Sequence, residues 1–255
     1  TVVKVVIRDA SGNTVRQYHS ETDKNYISFE GAPPKKTIAS KKKGMNRLVW
    51  DLRYPLLEAT PKVYIEGSFR GHKAIPGNYT ISVSYGTEKL MTSVAILPNS
   101  KYPTTQAEYE EYHTFMSAGE STYNEMTRMT NKMFIAQQSL EALLPKIDTK
   151  KYPQTFVSAK ATLEKVKAWD GVMVQRLAQA YDDVENFVNG FTAEYITAIN
   201  QTESAIPKVN NGSKEKMAEL NRQWESHKKE AVGIQKELTN LNQLLFESGF
   251  GFVPF

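Results

Sequence analysis

The sequence predicts a multi-domain chain of two unlike parts, one all-β and one all-α. An immunoglobulin- or fibronectin III-like β-sandwich is expected over residues 1–98, and an antiparallel four-helix bundle over 104–248. Three observations carry that expectation. Short β-branched stretches with period-two alternation recur through the first hundred residues, separated by turn signals. Beyond residue 104, apolar residues recur every three or four positions over long runs. The charge balance also reverses: residues 1–100 hold 15 Lys/Arg against 8 Asp/Glu, whereas 101–255 hold 17 against 20.

In the first part, VVKVVIRD, the turn DASGN and TVRQYHS read as a hairpin. MNRLVWDL alternates, with Leu48, Trp50 and Leu52 on one face and Val49 and Asp51 on the other. A Pro-Gly turn at Pro76 and Gly77 precedes a strand carrying Tyr79, Ile81, Val83 and Tyr85 on one side, and TEKLMTSVAIL completes another hairpin. About seven short strands in this length suggest two packed antiparallel sheets. Trp50 is then expected to fill the space between them, with Asp51 and Arg53 forming a local ion pair on the outer face. APPKKTIASKKKG reads as a loop or edge, because proline and lysine both discourage edge pairing.

LPNSKYPTT is a linker, and Thr105 followed by Glu108 has capping-box spacing. Helices are expected at about 105–144, 153–187, 191–206 and 213–247. Pro145 stops the first and Pro153 suits the first turn of the second, whose stripe includes Met173, Leu177, Ala180 and Val184. Pro207 ends the third, and Ser213 is the expected N-cap of the fourth. The remaining tail, 249–255, is rich in phenylalanine and must pack back or present an apolar patch.

Composition bounds the chemistry. A hydrophobic share of 40% with 24% charged residues is that of a globular protein, and no apolar run approaches a membrane span. The chain opens on Thr1 inside a strand pattern, which suggests a processed protein or a fragment. With no cysteine there is no disulfide, thiolate nucleophile or cysteine metal site. His19, His72, His113 and His227 are scattered without metal-ligand spacing; only His227 falls on a helical apolar stripe, where a satisfied core histidine is the expected role. The adjacent acids Asp182 and Asp183, and Glu110 and Glu111, diverge by about 100° on a helix and cannot converge as acid and base. Lys41 to Lys43 lack interleaved aromatics, so a solvated edge is expected rather than a nucleic-acid platform. Catalytic, cofactor and metal residues are therefore all expected to be none.

VVIRDASGNTVR, GMNRLVWDLRYP and AIPGNYTISVSY together resemble the C-terminal region of bacterial secreted proteins that carry a sortilin-like or BNR-repeat β-propeller, often described as glycosyl hydrolases. The strand pattern is also similar to the immunoglobulin-like domain of flagellar hook-capping proteins. Gly12, Gly44, Trp50, Asp51, Arg53, Pro76, Gly77 and Tyr79 match turn and core positions, none of them catalytic. The sequence departs from the pattern at Leu97-Pro98-Asn99, where relatives commonly have an acidic-Pro-Arg junction. The resemblance implies a secreted, periplasmic or cell-surface protein whose upstream propeller is the partner of this region. It implies a non-catalytic accessory role, structural or binding a glycan or protein. Two alternatives stand beside it: an accessory part of a sialidase-like glycoside hydrolase whose active site lies in the propeller, and a free-standing adhesion or cargo-binding module.

Overall fold

The computed structural model describes residues 1–204 and 207–255. Its first third holds a single antiparallel sheet of four strands in the order β2-β1-β3-β4. β1 (Val3–Arg8) and β2 (Thr14–His19) form the hairpin expected at the N-terminus. The Asp9 carboxylate closes its turn by accepting from Asn13 N at 2.8 Å. β3 (Gly77–Tyr85) and β4 (Glu88–Ile96) form a second hairpin, turning on two residues of which Gly86 has φ 61°. Pairing of β1 with β3, from Val3 opposite Tyr85 to Arg8 opposite Thr80, unites the hairpins.

The β-sandwich is thus overturned, since among the described residues these four strands make one sheet with no second sheet facing it. Residues 20–76 supply the reason. Five prolines, at 33, 34, 55, 61 and 76, remove ladder donors from this stretch. MNRLVWDL alternates but does not extend: Leu52 enters the left-handed region at φ 55°, and Trp50 Nε1 donates to Arg53 O at 3.0 Å. Trp50 is half-buried, edge-on to Tyr79 at 5.6 Å, and covers one sheet rather than filling a gap between two. Under it, with Leu48, Tyr54, Ala39 and Ala74, lie Val5, Ile7, Tyr18 and Tyr79.

The antiparallel four-helix bundle is also overturned. The helices are α1 (Gln106–Leu143), α2 (Pro153–Met173), α3 (Phe191–Ser204) and α4 (Asn211–Glu247). α3 resumes where α2 stops: Thr192 Oγ1 donates to Met173 O at 2.9 Å, and a Cβ on Gly190 would lie 2.7 Å from that carbonyl oxygen. α2 and α3 are therefore one interrupted rod. α1 and α4 run parallel to each other, because Glu111 pairs with Lys214 and Glu125 with Lys228, equal steps along both helices. α2 is antiparallel to both, joined by Lys167 to Glu141 and by Lys165 to Glu237. At 38 and 37 residues, α1 and α4 match the summed length of the broken rod, about 55 Å at 1.5 Å per residue.

Local chemistry sets the ends. Thr105 and Glu108 exchange the two bonds of a capping box, Thr105 N donating to Glu108 Oε2 at 2.8 Å and Glu108 N to Thr105 Oγ1 at 3.3 Å. Lys208 and then Thr105 hold the Glu108 carboxyl down to about 2. α2 ends at Met173 rather than 187, because the Arg176 guanidinium folds back to donate two bonds, 2.5 and 2.6 Å, to buried Asp170 while lying over Phe134. Leu177, Ala180 and Val184 consequently sit in the excursion 174–190, and Leu177 is exposed. Asn210, not Ser213, caps α4; its side chain accepts from Ser213 N at 2.8 Å. The expected last residue of the third helix, 206, lies outside the described residues.

The three rods bury Met116, Met126, Met133, Leu140, Trp169, Trp224, Leu238 and Leu245 between them. Their open side is closed by an irregular stretch from the first third: Leu57, Val63, Ile65 and Phe69 belong to the same core. Asn200 of α3 clasps this stretch, accepting from Ser68 N at 2.5 Å and donating to Ser68 O at 3.0 Å. The C-terminal tail folds back too, with Val253 buried and its backbone held by the Asn242 side chain; Phe252 stays exposed.

Candidate functional site

A dense polar constellation lies where the sheet meets the rods, and the run WDLRYP builds half of it. Leu52, turned by its positive φ, lets the chain pair antiparallel with residues 72–74: Tyr54 N donates to His72 O at 2.9 Å and Ala74 N to Leu52 O at 2.7 Å. Gly71 is required at this crossing, since a Cβ there would sit 2.3 Å from Pro55 O. Arg53 then reaches α3. Its Nη1 donates to Gly71 O at 2.8 Å and pairs with Glu203 at 3.0 Å. The ion pair expected between Arg53 and Asp51 does not form, and Asp51 is exposed.

Glu203 gathers further partners. Lys73 lies 3.7 Å away, and the Tyr112 hydroxyl of α1 donates to its carboxylate while accepting from Lys73 N at 3.3 Å. Burial first, and then the Glu203 charge, push the Tyr112 hydroxyl far above the usual phenol range. Beside this knot opens a cleft of ≈ 580 Å³, lined by Arg53, Lys73, Leu97, Tyr102, Tyr109 and Tyr112 among others.

Between His113 and Glu120 of α1, a second polar chain runs inward. Glu120, 7% exposed, accepts from His72 N at 2.6 Å and lies 2.9 Å from His72 Nδ1. His72, 1% exposed, meets His113 Nδ1 through its Nε2 at 2.9 Å. Tyr54 stacks flat on the His72 ring, centroids 4.2 Å apart. With Glu120 ionised, His72 Nδ1 is a donor, and a neutral His72 therefore accepts at Nε2 from His113 Nδ1. Burial, and then the neighbouring His72, push the His113 ring below its ordinary value, against an opposing pull from Asp9.

This Glu-His-His chain can hold or pass a proton, and Ser117 stands next to it, 3.4 Å from His113 Nδ1. A nucleophile triad, however, uses the two nitrogens of one imidazole for two different partners. Here Ser117 and His72 contend for the same nitrogen. The loop histidine and arginine are each tied to a helix by a carboxylate.

The other sequence candidates are dispersed. Asp182 and Asp183 lie in a 3₁₀ turn, where Asp183 accepts from Gln179 N and Ala180 N. Glu110 binds Gln106 and Glu111 pairs with Lys214. His19 is exposed on β2, and Lys41 to Lys43 are exposed in a loop. His227 is half-buried and edge-on to Phe191, and its carbonyl accepts from Trp169 Nε1 at 2.9 Å. Among the described residues no group of three potential ligands is placed to hold a metal ion. His72 and His113 were invisible as a pair at 41 positions apart; the readable signal was His113, Ser117 and Glu120, polar residues at helical spacing beside the α1 apolar stripe.

Comparisons with protein-family models, with curated proteins and with solved structures yield no match.

Proposed function

We propose that this chain is a non-catalytic accessory region of a secreted or cell-surface protein of the sortilin-like propeller kind. Its work is mechanical: it carries a small sheet at a fixed angle on a long helical body, so that a protein or glycan contact can be made beside the propeller. One observation carries the reading. The polar groups at the junction are paired across the layers, Arg53 with Glu203 and His72 with Glu120, so that the charged groups bordering the cleft already have partners within the fold.

The test is to loosen the latch. Arg53→Ala combined with Glu203→Gln is expected to cost about 2 kcal/mol, from lost hydrogen bonds to charged groups. It should also open residues 53–72 to limited proteolysis while the helical circular dichroism persists. In parallel, the chain and its Glu120→Gln variant are assayed on aryl glycosides and esters. Turnover by the parent that vanishes in the variant overturns the reading in favour of an enzyme.

A further inference from the structure

The two edges of the sheet are treated differently by the sequence. β2 is only six residues long, its pairing with β1 slips between Ile7 and Arg8, and its end is covered by Ala39 N donating to His19 O at 2.9 Å. Those are devices that blunt an edge. β4 has none of them. It runs nine residues in unbroken register with β3, contains no proline, and carries charge only at its first two positions, Glu88 and Lys89. Every residue from Glu88 to Ala95 is exposed. On the core-facing side, Leu90 is 77% exposed and Val94 40%, and they continue an uncovered strip with Val83 and Tyr85 of β3.

We propose that β4 pairs antiparallel with β4 of a second copy of this chain, about a two-fold axis through Thr92, to give one continuous eight-stranded sheet. The strand is complementary to a second copy of itself. Centring the axis on Thr92 is the only register that pairs all nine residues, Glu88 with Ile96 through Thr92 with Thr92. Leu90 then faces Val94 of the second copy on both sides of a central threonine pair, and such apolar and Thr-Thr pairs are favourable across strands. Lys89 faces Ala95, so no like charges are opposed. Moving the axis to Lys89 sets two lysines against each other. A two-fold perpendicular to the sheet keeps equivalent faces on the same side. The Leu90, Val94 and Val83 strips of the two copies therefore merge, and a flat apolar edge that is an association hazard in one copy is closed in two.

The inference rests on the accessory reading only in treating the sheet as a contact surface. It is tested by sedimentation of the full chain across the low- to high-micromolar range, with three variants at Thr92. The parent is expected to dimerise. Thr92→Cys should form a symmetric disulfide on mild oxidation, because directly opposed antiparallel residues lie about 4.5–5.5 Å apart, within disulfide reach, and the chain has no other cysteine. Thr92→Lys and Thr92→Glu should each be monomeric with parental circular dichroism and melting, and mixing them should restore a heterodimer. A parent that stays monomeric, or a dimer that Thr92→Lys leaves intact, overturns the proposal. A monomer with an unaltered junction overturns the pairing alone, since the latch variants test the accessory reading.

Discussion

Arg53 and His72 show how the meaning of a residue depends on what the fold brings to it. From sequence, Arg53 has one obvious partner two positions away, Asp51; in the fold it reaches 150 positions along the chain to Glu203. His72 has no partner in sequence, yet it joins Glu120 and His113. Neither contact was legible, because both depend on a loop crossing over a helix, which leaves no periodic trace. The His113 ring makes this dependence measurable. Its folded pKa lies below 6.5, first through burial and then through His72, with Asp9 opposing and Glu120 fixing the far side of the relay. A depressed histidine favours the neutral form, so its contribution is complete above the unfolded pKa and is lost as pH falls through the lower folded value. Urea midpoints followed from neutral to mildly acidic pH should therefore decline in the parent and decline less in His113→Gln. Equal slopes would remove His113 from the account.

Among the elements, both hairpins and all four helix starts could be read to within a few residues, because turn chemistry and capping act locally. β1 and β2 needed only alternation and a Gly12 turn; α1 needed Thr105 and Glu108. What alternation could not reveal is whether a strand has a neighbour. MNRLVWDL had the right period but turned at Leu52, and the second sheet went with it. α2 was read too long for a similar reason: its stripe continues through Leu177 in sequence, but the Asp170 to Arg176 pair draws the chain away first. The join that follows is tight. Gly190→Ala would push a methyl against Met173 O and the Val174 backbone, at 2.7 and 2.8 Å. Backbone cannot yield as a side chain can, so a loss of about 1–3 kcal/mol is expected in chemical unfolding. A neutral result would mean that α3 is not stacked on α2.

At the scale of the whole molecule, the helical body is incomplete without the first third of the chain. Leu57, Val63, Ile65 and Phe69 occupy the side of the three rods where a fourth helix would stand. Four amphipathic stripes suggested a four-helix bundle because nothing in their periodicity shows that α2 and α3 stack end to end as one rod; the layer beside the three rods is an irregular stretch with no helical period. Leu57, 3% exposed, tests the point. Leu57→Ala should lower helical stability by about 3 kcal/mol through the cavity it leaves, read by the urea dependence of the helical circular dichroism. If the helices unfold unchanged, the 57–69 stretch is dispensable to them.

The near-contact of Gly190 with Met173 has a consequence for how this architecture tolerates change in length. The excursion between them leaves and re-enters the rod at almost the same point, so it is a closed detour whose two mouths touch. Residues added to or removed from its apex leave the helical phase of α3 and α4 untouched. A foreign sequence can be housed there without α3 or α4 being rotated against α1.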